Sequence, residues 1–159
     1  VTDPLRLVTF RRSGVAYGVP VGCVRRVLRA PPVRALPAAP PFVPGGVSVD
    51  GRLEALVDPA SLLDPETPPA GAARVVLVTV RARGFALVAD EAGEVLEVDA
   101  GARQAVPPFL GASARSVLTG VVVRDGEDVL LLDPERLLER TGPETARTPG
   151  PAAPEGGAA

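Results

Sequence analysis

Asp58 and Asp133 are the first residues to weigh for chemistry, because each stands in the same local sequence, Val57-Asp-Pro-Ala-Ser-Leu-Leu63 and Leu132-Asp-Pro-Glu-Arg-Leu-Leu138. Two carboxylates can divide general acid and base work. Here each aspartate precedes a proline where a strand-like run gives way to a short amphipathic one, which is the place of a helix N-cap with proline at the first helical position. Capping accounts for both. Cys23 is the one cysteine, and Arg25 and Arg26 are cations that could lower its pKa, yet the Gly22-Cys-Val24 setting reads as a small structural residue. Ser13, Ser48, Ser61, Ser113 and Ser116 lie in no nucleophile elbow, and neither Gly45-Gly46 nor Gly51 is followed by the Lys or Ser/Thr of a phosphate loop. The chain has no histidine at all, so the commonest general base and metal ligand is missing. The expectation is a chain without catalytic, metal or cofactor residues and without a small-molecule substrate.

The elements around these residues are short and β-like. Leu5 to Arg12 alternates with apolar residues on both sides, Gly14 turns the chain, and Val15 to Val21 returns with Pro20 near its end, where a lost donor is tolerated. Strand patterns recur at Leu53 to Val57, Arg74 to Val80, Phe85 to Ala89, Val95 to Val98, Val117 to Val123 and Val129 to Leu132. Arg83-Gly84 and Asp125-Gly126 read as hairpin turns between them. The six-proline stretch Ala30 to Gly45 carries Val33, Leu36, Phe42 and Val43 and so reads as an ordered crossing segment.

The chain also resembles itself. The Asp-Pro-x-x-Leu-Leu match has an offset of 75, and Phe10 to Tyr17 matches Val80 to Leu87 at an offset of 70 as strand, glycine turn, strand. Two copies of a five-strand unit predict an all-β fold of two small barrels sharing a core, since closure removes exposed edges and neither half is large enough to be very stable alone. The expected division is one domain over 1–140, about 1–70 for the first barrel half and 71–140 for the second. Residues 141–159, rich in Pro, Gly and Ala, are expected to form a disordered tail.

In order and spacing, these residues resemble the CheW-like coupling proteins of bacterial chemotaxis, from about Leu5 to Arg140. Phe10, Tyr17 to Val21, Val24 to Leu28, Leu36-Pro37 and Pro40 to Gly45 carry the first part of the likeness, followed by Val47 to Gly51 and Leu53 to Asp58. Ala86 to Asp90, Val95, Pro107-Pro-Phe109, Leu118-Thr-Gly120 and Leu130 to Leu138 carry the rest. The resemblance implies two intertwined five-stranded SH3-like barrels and a non-enzymatic adaptor that joins chemoreceptor cytoplasmic tips to the regulatory domain of a CheA-type histidine kinase. It implies partner-binding residues at Val24, Arg26, Gly45, Val49, Asp50 and Gly51. At two of them the charge departs from the family pattern: Asp50 stands where an Arg is usual, and Arg26 where Glu is frequent. If the two meet in space they are the family's acid and base with roles exchanged; if not, both are solvated charges.

Charge along the chain leaves a different reading open. Residues 1 to 34 hold seven Arg against one Asp, and residues 50 to 99 hold ten acids against four Arg. The alternative is a small-barrel nucleic-acid binder using the basic first quarter, although no glycine-aromatic stacking motif accompanies it. A Ser or Asp hydrolase has no positive motif. No apolar run reaches the length of a membrane span, and Val1 to Arg6 has no signal-peptide core, so the expected location is cytoplasmic without membrane insertion.

Overall fold

The computed structural model describes residues 4–37, 39–64, 66 and 73–141. Ten strands run in chain order as β1 (Leu5–Arg12), β2 (Val15–Pro20), β3 (Val24–Arg29), β4 (Gly45–Val49), β5 (Arg52–Val57), β6 (Arg74–Val80), β7 (Arg83–Ala89), β8 (Glu91–Val98), β9 (Leu118–Arg124) and β10 (Glu127–Leu132). Three short helices accompany them: α1 (Pro59–Leu63), α2 (Ala112–Arg115) and α3 (Pro134–Thr141). The fold is all-β, as the strand spacing predicts.

The strands form two five-stranded sheets ordered β8-β1-β2-β10-β9 and β3-β6-β7-β5-β4. Replacing each strand of the first half by its counterpart five places on converts one order into the other, so the duplication is a pseudo-two-fold exchange. Each sheet takes strands from both halves of the chain, which is how the barrels come to be intertwined. The boundary expected near residue 70 falls outside the described residues.

Alternating side chains serve two interiors. Val8, Phe10, Tyr17 and Val19 of the first sheet face Val76, Val78, Val80, Phe85 and Leu87 of the second in one large shared core, which Leu62 of α1 and Leu137 and Leu138 of α3 complete. The opposite faces fill the barrels, with Leu7, Ala16, Val122, Val129 and Leu131 in the first and Val47, Val49, Leu56, Val75, Leu77, Ala86 and Val88 in the second. Burial of such side chains stabilises by about 1.5–3 kcal/mol each. Their placement between the sheets explains why neither half holds a core of its own.

Four two-residue turns close the hairpins, each with both residues at positive φ, as a type I′ turn requires. They are Ser13–Gly14, Asp50–Gly51, Arg81–Ala82 and Asp125–Gly126. The third corrects the sequence reading, which placed a turn at Arg83–Gly84. Val80 pairs with Arg83 across the tighter turn, and Gly84 lies inside β7 opposite Thr79. Its glycine serves close approach instead of chain reversal, because a Cβ there would sit 2.8 Å from the Glu54 Oε1 atom. The β1–β2 copy therefore matches β6–β7 at an offset of 68 (Arg12 with Val80), not 70, and 75 applies from β4 and β9 onward (Gly45 with Gly120).

Both crossing segments are ordered where described. Arg34 bridges Gly46 on β4, and Gln104 bridges Val121 on β9. Gly45 and Gly120 lie beneath them, and a Cβ at either would meet a backbone oxygen, Arg34 O at 2.3 Å or Gln104 O at 2.7 Å. At the other end of the chain, Thr141 closes α3 with its hydroxyl buried and donating to Leu138 O. It belongs to the helix and not to the tail; residues 142–159 lie outside the described part.

Candidate functional site

The second sheet collects the six residues singled out by sequence. Val24 and Arg26 lie on β3 and Gly45 and Val49 on β4, the two edge strands of that sheet, while Asp50 and Gly51 form the turn leaving β4. Curling of the sheet brings the edges together, and Arg26 Nη1 donates to Asp50 Oδ2 at 2.7 Å with both side chains exposed. The two departures from the family pattern are thus one ion pair spanning the seam of the barrel. An exposed pair contributes about 0–1 kcal/mol, so its consequence is the charge it displays.

The six do not play one role. Arg26, Asp50 and Gly51 are solvent-facing, and Val24 is half-buried against the shared core. Val49 is 5% exposed and points into the barrel, and Gly45 is buried under Arg34. Neither offers a side chain to a partner; each sets the course of the strand that presents Asp50. Arg25 sits at the β-bulge of β3 and reaches inward to the buried Glu54, Nη1 to Oε2 at 3.5 Å. This pins the bulge, and with it the direction of Arg26.

The first sheet carries the equivalent seam with its signs reversed. Glu94 of β8 corresponds to Arg26, and its carboxylate accepts two hydrogen bonds from Arg124 of β9, at 2.8 and 3.1 Å. The Arg124 hydrogen bonds and charge hold the Glu94 carboxyl below the usual glutamate range. Arg11 pairs with Glu127 beside it, and these residues line a charged mouth of about 520 Å³ with Thr9, Ala16, Glu91 and Val129. In the second barrel the place of Val129 is taken by Glu54, whose carboxylate fills that end of the interior.

The aspartates are caps, as their setting predicts. Asp58 Oδ1 accepts from Ala60 N, and Asp133 Oδ1 from Glu135 N and Arg136 N. Sequence reasoning missed the second duty of Asp58. Arg12, 4% exposed, spans its carboxylate with Nε to Oδ1 at 3.1 Å and Nη2 to Oδ2 at 2.9 Å, and reaches Asp90 Oδ1 at 2.9 Å. Burial beside Asp58 also pushes the Tyr17 phenol well above its usual range. The Cys23 thiol is raised by burial first and then by Asp133 and Glu135. Arg25 and Arg26 do not activate it, because Arg25 is turned to Glu54 and Arg26 to Asp50.

The basic first quarter is dispersed by these contacts. Arg6 meets Glu97, Arg11 meets Glu127, Arg12 meets Asp58 and Asp90, Arg25 meets Glu54 and Arg26 meets Asp50. Phosphate binding requires a surplus of unpaired cations, and nothing here favours the nucleic-acid reading. Among the described residues no group of three or more His, Cys, Asp or Glu could hold a metal, and no helix is long and apolar enough to cross a membrane. What the surface does offer is paired charge on the seams and exposed apolar side chains, above all Phe109 at 84% exposure in the second crossing segment.

Paired SH3-like barrels exposing charged seams and single apolar anchors define a scaffold that works by docking other proteins. The chain belongs to the CheW-like domain family, whose model matches residues 6–142. It is 25% identical over 141 residues to a probable chemotaxis protein CheW of Rhizobium etli, covering 88% of this chain and 91% of that one. It is also 25% identical over 128 residues to the chemotaxis protein CheW of Rhizobium meliloti, covering 80% and 83%. The crystal structure of the scaffolding protein TtCheW from Thermoanaerobacter tengcongensis superposes with a TM-score of 0.68 at 18% identity, over 82% of this chain and 89% of that one. That likeness shows the shared fold.

Proposed function

We propose that this chain is a non-enzymatic, cytoplasmic adaptor that couples chemoreceptors to a CheA-type histidine kinase, with the Arg26–Asp50 seam as the surface that meets the kinase regulatory domain. The observation that carries the site is the convergence of Arg26, Asp50 and Gly51 on one exposed seam although 24 residues separate the paired charges. Val24 extends the seam toward the core as a half-buried apolar neighbour, while Gly45 and Val49 support it from beneath. Because the charges are exchanged relative to the common family pattern, the matching kinase surface carries the inverse pattern. The same seam serves the receptor tip less directly, since Asp50 replaces the Arg associated with that contact. Phe109 supplies a second, apolar anchor on another part of the surface; exposed aromatics of this kind dominate protein contacts once covered.

Titration against the kinase regulatory domain encoded near this chain's own gene tests the reading. Binding is expected below tens of micromolar, and no binding at that concentration overturns it. The double exchange Arg26→Glu with Asp50→Arg keeps the pair but restores the common polarity. It is expected to weaken binding to the cognate domain by at least about tenfold, as for a well-placed charge mismatch; unchanged binding removes the seam from the interface.

A further inference from the structure

The two barrels finish differently at the mouth where β3 and β8 carry their bulges. In the second barrel the bulge residue is Arg25, which is passed over in the pairing of β3 with β6. Its guanidinium lies across the mouth, with Nη1 3.5 Å from Thr79 Oγ1 and 3.5 Å from Oε2 of the buried Glu54. The offset of 68 carries Arg25 to Gly93, and Gly93 is likewise passed over where Glu94 pairs with Thr9 and Ala92 with Phe10. The offset of 75 carries Glu54 to Val129. Neither group that closes the second barrel has a counterpart in the first. Its bulge carries no side chain, with open space within 4 Å of where a Cβ would stand, and its floor is apolar. The result is the cavity of about 520 Å³, with Ala16 and Val129 in its lining.

Four carboxylates line this cavity, Glu91, Glu94, Asp125 and Glu127, against two guanidinium groups, Arg11 and Arg124. The Arg11–Glu127 and Arg124–Glu94 pairs engage both cations. Asp125 comes no closer than 3.7 Å to Arg124 Nε, and Glu91 has no ion-pair partner among the described residues. The excess charge is therefore negative, and concave walls focus it on the interior. An apolar floor below a few charged groups is the usual make-up of a small-molecule site, and the volume falls within the common range of about 300–1,000 Å³. We propose that the mouth of the first barrel binds a small aliphatic cation, an amine or guanidine on a short alkyl stem, with the stem on Ala16 and Val129 and the head beside Glu91. Such a guest repeats between molecules what Arg25 does within the second barrel, where an alkyl stem carries a guanidinium past the bulge to a carboxylate. The seam pairs stay closed, since the head needs only the carboxylates they leave uncompensated.

Amide NMR titration of this chain alone tests the site, independently of the kinase reading. Agmatine, a guanidine on a butylamine stem, is expected to shift the signals of Thr9, Ala16, Glu91 and Gly93 with a Kd of about 1 mM, as for a ligand of so few atoms. Neutral N-butylurea and the dianion glutarate are expected to leave those signals in place. The tripeptide Gly-Arg-Gly presents the same head on a peptide: affinity equal to that of agmatine identifies an arginine side chain as the guest, and weaker affinity identifies a free compound. Glu91→Lys, at an exposed position, is expected to weaken agmatine at least about tenfold. Ala16→Val narrows the floor without touching a charge and is expected to weaken it as well, with unmoved second-barrel signals showing that the variant is folded. Wild-type signals unmoved by agmatine at about 20 mM, well above that Kd, overturn the proposal. So do equal shifts with N-butylurea or glutarate, or wild-type affinity in either variant.

Discussion

The two barrels share a strand order and differ in how each anchors its closing helix, and the difference shows what a repeated sequence does and does not repeat. Asp58 and Asp133 both cap, but only Asp58 is buried against an arginine of the opposite sheet. Its partner Arg12 corresponds to Val80 in the second copy, and there Asp133 turns to Arg136 of its own helix, Nε to Oδ2 at 3.3 Å. The turn residue beside Val80, Arg81, meets Glu135 at the surface instead. One copy thus carries a buried ionic hub that binds the β1 end, α1 and the start of β8. The other replaces it with apolar packing and exposed pairs. A repeated local motif preserves the cap, because a cap needs only its own helix; the hub needed a residue from another strand, and only one copy kept it.

The largest expected effect separates the two caps. Asp58→Ala removes the carboxylate that the buried Arg12 guanidinium spans with two hydrogen bonds, and is expected to cost about 3–5 kcal/mol in urea unfolding. Asp133→Ala loses a half-buried cap and is expected to cost about 1 kcal/mol; equal losses would sink the distinction. Next come the glycines beneath the crossing segments. Gly45→Ala is expected to cost about 2–3 kcal/mol and Gly120→Ala about 1–2 kcal/mol, since the Arg34 carbonyl stands closer to the added methyl than Gln104 does. A thermal melt that ranks them the other way breaks the argument from close approach.

The turns give a smaller effect of opposite sign. Ala82 holds φ 65° without being glycine, so Ala82→Gly is expected to stabilise by about 0.5–1 kcal/mol, whereas Gly14→Ala at φ 80° is expected to lose about 1 kcal/mol. If both lower the melting temperature, strain at the β6–β7 turn is not what distinguishes the copies. The finest comparison is between seams. The folded pKa of Glu94 lies below its unfolded value, so the stabilisation it supplies is present above the unfolded value and fades as pH falls through the folded one. Carboxyl NMR titration of wild type against Arg124→Ala reads this directly: the Glu94 midpoint is expected to climb back to the usual range in the variant, and an unmoved midpoint rules out Arg124 as the cause.

Much of this was legible in the chain. Eight of the ten strands, two of the four tight turns, both caps and the ordered crossing segment follow from alternation, Gly or Asp-Gly pairs and Asp-Pro, all of which act over a few residues; β3, β4 and the Asp50–Gly51 turn between β4 and β5 were not read as such. The β6–β7 turn was misplaced because Gly84 looks like a turn glycine, while the residues that turn, Arg81 and Ala82, carry no turn signal. Arg12 passed for one of many strand arginines. Two signals were present and unread, both at the offset of the Asp-Pro motif: Gly45 with Gly120, and Asp50-Gly51 with Asp125-Gly126.

By itself the sequence determined what short range decides: hairpins, helix starts, two apolar faces per strand, and a duplicated unit too small to close a core alone. Only the tertiary structure decided which hairpin joins which sheet, and therefore which charges meet. Arg12 finds Asp58 across 46 residues and Arg26 finds Asp50 across 24. The physical reason is that strand exchange lets each sheet pack its apolar side against the other in one shared core. That exchange sets β3 against the β4–β5 turn in one barrel and β8 against β9 in the other, which no local pattern specifies.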